Sequence, residues 1–262
     1  MREKDYSIDD VQDILDNLKK EFKNRVVQAG SHESLAREKA LLSCKENSIV
    51  SLLEKKADVD EKNKGEVPSG IYEHIISLVN EAIEITLTSK HEIEIRRVNR
   101  ILHGKCKLLD YKIGEYFEKE YVEKIMKAST PGEVDRIGSL YQRKDRAINQ
   151  LNEILGTDYS KDYFKKTYEE IRTAYEGAIK RATTTSGISR IVVLIKSKID
   201  AIKKLSAEYA RIKNNNKGKI PSGHPEITVI EQAERAIKRA TSPNETSAIT
   251  SITMEKLKFL RE

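Results

Sequence analysis

The 262-residue sequence has no tryptophan, four phenylalanines, five prolines, twelve glycines and only two cysteines. Cys44 and Cys106 are far apart and outside any metal-ligand spacing, and two thiols neither demand nor exclude an oxidising compartment. No apolar run approaches the roughly 18 residues that a membrane span needs. The opening residues, MREKDYSIDD, contain no apolar segment of the signal-peptide kind. Two expectations follow: a cytoplasmic protein, or an excerpt of a longer exported chain with an added Met1.

Catalytic signatures are missing as well. The five histidines (His32, His74, His91, His103 and His224) do not pair with cysteines or carboxylates at zinc-site spacings. There is no GxGxxG, no GxxxxGK[ST] and no GxSxG. The glycines read as turn residues that end helices. Acidic clusters such as Asp9-Asp10 and Glu118–Glu120 read as helix N-terminal or surface charge. The sequence thus predicts no enzyme, no catalytic residue, no cofactor and no metal site.

What is abundant is charge and helical periodicity. Charged residues make up 34% and apolar ones 38%. That is above the roughly 25% charge of globular domains, as expected where many helices each expose a polar face. Apolar residues recur at spacings of three and four from Val11 to Val26, from Leu35 to Leu53 and onward. Thr130-Pro-Gly-Glu133 and Ser242-Pro-Asn-Glu245 read as helix starts. In each, a hydroxyl and a carboxylate satisfy first-turn N–H groups, and proline stands at the first helical position. Ser89-Lys-His-Glu92 reads as a third capping box. Thr183–Gly187 reads as a turn, followed by a helix through Lys213.

Short segments repeat. AIKRAT occurs at 178–183 and again at 236–241, and Tyr121–Val134 carries a related version. Lys64-Gly-Glu-Val-Pro-Ser-Gly70 returns as Lys217-Gly-Lys-Ile-Pro-Ser-Gly223. Long helices of about 25 residues mostly alternate with shorter ones. A lone helical hairpin buries one narrow stripe and is marginal. Letting each long helix end one bundle and begin the next covers every stripe. The expectation is an all-α fold of tandem three-helix bundles sharing long connecting helices, forming an elongated rod. The units run 1–60 (an incomplete N-terminal hairpin), 61–113, 114–155, 156–213 and 214–262, with the KGxxPSG loops in the second and last.

Tyr121, Ile125, Ala128, Thr130 and Val134 resemble the Tyr, Ile, Ala, Thr, Val pattern of the albumin-binding GA module, a three-helix bundle of Gram-positive surface proteins. The tandem arrangement is similar to the alternating GA-like and FIVAR-like bundles of giant matrix-binding surface proteins. The resemblance implies the bundle fold and an extracellular, cell-surface setting. The cysteines and KGxxPSG loops depart from that family's pattern, and albumin binding is not carried over.

Two surfaces stand out as candidates for a partner. Residues 196–219 hold Lys196, Lys198, Lys203, Lys204, Arg211, Lys213, Lys217 and Lys219 against Asp200 and Glu208, a local basic excess. Of eleven tyrosines, Tyr111, Tyr116, Tyr121, Tyr159, Tyr163, Tyr168 and Tyr175 crowd the middle of the chain, and Tyr121 and Tyr163 pair an apolar ring with a polar tip as binding surfaces do. The repeats and the resemblance together imply a monomeric, non-enzymatic adhesin or stalk region that meets host matrix, serum protein or cell-wall polymer, with these residues as the candidate contacts. The alternative is an intracellular helical scaffold binding nucleic acid or a protein partner through 196–219.

Overall fold

The computed structural model describes residues 6–62, 70–111, 113–114, 116–156, 163–220 and 223–262. Among them are ten α-helices and no strand. They are α1 (Val11–Gln28), α2 (His32–Lys62), α3 (Ile71–Thr88), α4 (Glu92–Leu109), α5 (Glu118–Lys127), α6 (Pro131–Leu155), α7 (Lys165–Arg181), α8 (Thr185–Asn215), α9 (Pro225–Arg239) and α10 (Pro243–Phe259). A short 3₁₀ turn, Ile8–Asp10, precedes α1. The all-α expectation holds. The chain divides into two compact units, Met1–Gly138 and Ser139–Glu262, and the division falls inside α6.

In the first unit α2, α3 and α4 each pack on the other two, α1 packs on α2, and α5 packs on α4. The core is largely aliphatic: Ile49, Leu53, Ile75, Val79, Ile83, Ile95 and Leu109 are all essentially sealed from water. Tyr6 is drawn into this unit, its hydroxyl donating to Glu84 and its carbonyl accepting from Lys56. The start of α6 lies close to α4. A Cβ on Gly138 would stand 2.6 Å from a Leu108 methyl, and one on Gly104 would stand 3.1 Å from Val134.

In the second unit α8, α9 and α10 pack pairwise and α7 packs on α8. Larger side chains fill part of this core. Tyr141, Phe164 and Tyr168 are buried, as are Leu151, Ile195, Ile199, Ile230 and Ile237. α10 contributes an unusual seam, Thr246, Thr250 and Thr253. Each hydroxyl donates back to a carbonyl of the preceding turn, so none enters the core unsatisfied.

One turn recurs four times. α3, α5, α7 and α9 end in a C-cap residue with extended backbone: Ser89, Ala128, Ala182 and Ala240, at ψ 141°, 132°, 133° and 138°. Two residues later stands the residue that opens the next helix: His91, Thr130, Thr184 and Ser242. The amides of Ala128, Ala182 and Ala240 each bond back three and four residues. This leaves the carbonyls of the last two helical residues without an intrahelical partner.

A buried lysine takes one of them in every copy. Lys45 donates to Leu87 O at 2.6 Å, Lys105 to Met126 O at 2.8 Å, Lys144 to Lys180 O at 2.6 Å and Lys198 to Lys238 O at 2.8 Å. The acceptor is always two residues before the C-cap. The donor always lies fourteen residues beyond the residue that opens its own helix: Ser31, His91, Thr130 and Thr184. These lysines are 3, 7, 3 and 6% exposed. Each places a cation at the negative end of a helix, where it is favoured, and satisfies an orphan acceptor there. Desolvation holds Lys45, Lys105 and Lys198 below the usual lysine range.

Two helix starts differ from the sequence reading. Ser89 does not open α4: it is the C-cap of α3, its hydroxyl donating to Glu94 and accepting from the His91 amide. Glu92 pairs instead with Arg96 one turn along. α8 begins at Thr185, capped by the Thr184 hydroxyl, which accepts from Gly187 N, so the expected turn at 183–187 is mostly helix. The boxes at Thr130/Glu133 and Ser242/Glu245 form. The serine or threonine hydroxyl accepts from the glutamate amide, and the glutamate carboxylate accepts backbone N–H groups in return. Of the KGxxPSG loops, 64–69 and 221–222 lie outside the described residues. Gly70 and Gly223 both take positive φ just before α3 and α9, as expected of equivalent loop ends.

Candidate interaction surfaces

The basic stretch from 196 to 219 is divided among several environments. Lys198 is inside, capping α9. Lys203 donates to Ile154 O at 3.1 Å, near the end of α6. Arg211 belongs to an ionic ring in which it and Arg261 each bond both Glu208 and Glu226. Burial works against ionisation of Glu208, but the two guanidinium groups outweigh it and hold the carboxyl below its usual range. Lys213, Lys217 and Lys219 stay exposed at the C-terminal end of α8 and just beyond, with Lys217 and Gly218 both at positive φ. These three remain together as a surface group.

Lys196 and Lys204 line a groove of about 730 Å³ between α8 and α10. Asp200 and Glu255 share its walls, and Val193 and Met254 supply apolar surface. A similar groove of about 740 Å³ lies between α2 and α4 in the first unit, lined by Ser48, Asn99, His103, Cys106 and Lys107 among others. Both are mixed in charge and join apolar to polar surface.

The two candidate tyrosines part company. Tyr121 is buried, and its hydroxyl donates to Leu108 O at 2.7 Å, so its ring belongs to the core. Tyr163 is half exposed and stacks on Tyr209 with ring centroids 3.9 Å apart and 18° between planes. A relationship missed in the sequence sits here. Tyr116-Phe117 and Tyr163-Phe164 are edge-to-face pairs at 5.3 and 5.1 Å, and the phenylalanines are the buried N-caps of α5 and α7. Its tyrosine partner stays at the surface. The signal was present as YFxxxY at 116–121 and 163–168, with the second tyrosine of each copy buried.

Among the described residues no three His, Cys, Asp or Glu side chains gather as a metal site would require, and no helix is long and apolar enough to cross a membrane. Cys106 is buried and desolvation pushes its thiol up to about 11, while Cys44 is half-buried. Compared with protein-family models, curated proteins and solved structures, the chain matches none of them.

Proposed function

We propose that the chain is a non-enzymatic helical-repeat array that acts as a spacer and display element, a region of a bacterial surface adhesin or its stalk. In this reading its three-helix bundles follow in tandem, each long helix closing one and opening the next, and the whole is an elongated rod. The observation that carries it is the fourfold lysine register. One donor position, one acceptor position and one turn recur along the chain, which is how an array repeats and how a single enzyme core does not. Lys256 of α10 supports it further. It stands fourteen residues beyond Ser242, exposed, with Leu260 one turn on. The surface setting rests on the resemblance to GA-like and FIVAR-like bundles. The partner would be a host matrix or serum protein, or a cell-wall polymer, met through exposed groups such as Tyr163 and the Lys213–Lys219 cluster.

Small-angle X-ray scattering tests the shape. Four bundles in line, each set by helices about 38 Å long, give a rod on the order of 130 Å with a radius of gyration near about 40 Å. A single compact body of this length has a radius of about 18 Å. The smaller value would remove the stalk.

A further inference from the structure

α1 ends as the four middle helices do. Its C-cap Ala29 is extended at φ −70°, ψ 112°, and two residues later Ser31 opens α2. The Ser31 hydroxyl accepts from Ser34 N at 3.1 Å, and its carbonyl accepts from Leu35 N at 3.1 Å, as Thr130, Thr184 and Ser242 do for their helices. In register, therefore, α1 is a middle helix and α2 a third helix. Among the described residues no helix takes the first place beside them, and no lysine reaches the Val27 carbonyl, two residues before the C-cap.

Burial says the same. The positions four and eleven residues past the helix-opening residue are buried in α4 (Ile95, Leu102), α6 (Val134, Tyr141), α8 (Ile188, Ile195) and α10 (Thr246, Thr253). Their counterparts in α2, Leu35 and Leu42, are only half-buried. The positions three and seven before the C-cap are buried in α3, α5, α7 and α9, as Ile125 and Tyr121 illustrate for α5. Their counterparts in α1, Val26 and Phe22, are half-buried. Phe22 and Leu42 line one cleft on the α1–α2 pair, with Glu21, Arg25 and Glu38 beside them.

We propose that this face is an acceptor for a separate amphipathic helix of the repeat's own first-helix type. Such a helix carries Lys-x-x-x-Ile-x-x-Leu, as at Lys45–Leu52, Lys144–Leu151 and Lys198–Leu205. Its lysine donates to the Val27 carbonyl at the negative end of α1, and its apolar seam covers Phe22, Val26, Leu35 and Leu42. The chemistry of the occupant follows from the copies within this chain: three of the four lysine-donating helices, α2, α6 and α8, carry that pattern, and α4 has Leu109 in place of the isoleucine. The inference rests on the repeat register and not on the surface-stalk reading. A compact scattering radius would sink the stalk and leave this binding untouched.

The test uses the full chain and a fluorescently labelled peptide of residues 184–215, this protein's own α8, followed by anisotropy and by hydrogen exchange. Saturable one-to-one binding is expected, with amide protection gained on α1. Lys198→Glu in the peptide should weaken binding about tenfold or more, since it replaces a charge-assisted donor by a repelled carboxylate. Leu42→Glu in the chain should do the same, and Phe22→Ser provides an independent variant should Leu42→Glu fail to fold. No binding at the highest soluble peptide concentration would overturn the proposal. So would binding indifferent to both chain variants, or protection falling on α9 and α10, because the peptide would then be replacing the chain's own α8.

Discussion

Lys144 on α6 reaches the main-chain carbonyl of Lys180 on α7 at 2.6 Å, and its charged end lies 4.9 Å from the centre of the Tyr141 ring. A lysine that is almost wholly buried thus ends at a carbonyl that its own helix cannot satisfy. Helix end and packing partner are joined by one bond. Its worth is the balance of a charge-assisted hydrogen bond against the desolvation of an ammonium group.

Removing that bond should be felt. Lys144→Ala strips the cap and the packed methylene stem together, and a loss of about 1–3 kcal/mol is expected in urea unfolding. Lys144→Met keeps most of the volume and loses only the donor, so its stability should fall between the two. An unchanged midpoint for Lys144→Ala would show that water caps α7 as well as the lysine does.

The close approach of α4 and α6 predicts an asymmetry between two glycines of the same helix. Gly138→Leu drives carbon into the Leu108 methyls and should destabilise by about 1–3 kcal/mol. Gly132, with open space around its Cβ position, should accept alanine without loss. Thermal melts of the two variants read the difference. Equal behaviour would mean that Leu108 simply turns aside.

Acid should unfold the chain through its caps and its ionic ring. The Ser129 amide and hydroxyl hold Glu133 below its ordinary 4.5, and the Thr241 amide and hydroxyl do so for Glu245. Burial opposes ionisation of Glu208, but Arg211 and Arg261 prevail, so it is lowered too. A carboxyl depressed in the folded state means that the unfolded chain binds more protons as pH falls. The stability is present above about pH 4.5 and is lost as pH drops through the depressed values. Melting temperature should therefore decline below pH 4.5, and Glu133→Gln with Glu245→Gln should flatten that decline. A slope that the double variant leaves unaltered would rule the caps out as its source.

The two thiols should differ in reactivity. Burial keeps Cys106 protonated far into alkali, and the thiolate is the species that reacts. Alkylation of the native protein near pH 8 should label Cys44 first, with Cys106 following only on unfolding. Mass spectrometry of partial digests would show it. Equal rates would mean that α4 opens readily in the native state.

Much of the helical plan was legible in the sequence because helix ends are local. α6 is framed by Thr130-Pro131 and Gly156, and its observed span follows from those signals. The error at Ser89 has a local cause as well. A serine before a charged run looks like an N-cap, but here the preceding helix claims it, and only comparison with Ala128, Ala182 and Ala240 exposes it as the same turn. The burial of Tyr121 was beyond the pattern, since a tyrosine can face water or hide its ring and donate from its tip. The basic stretch divides among environments for a related reason. A count of charges along α8 takes no account of rotation around it, and Lys198, Lys203 and Arg211 each turn toward protein acceptors. The lysine register could have been found by aligning the turns first and then reading fourteen residues onward.

The lysine caps also bear on how such a chain drifts through mutation. Each meets a main-chain oxygen, which every residue possesses, and the residues that offer it, Leu87, Met126, Lys180 and Lys238, are of three different kinds. Selection can hold the donor while leaving the acceptor's side chain free. Copies that keep the same bond are thus free to diverge in most of their letters, so the kinship between repeats survives as a spacing after it has faded as a spelling.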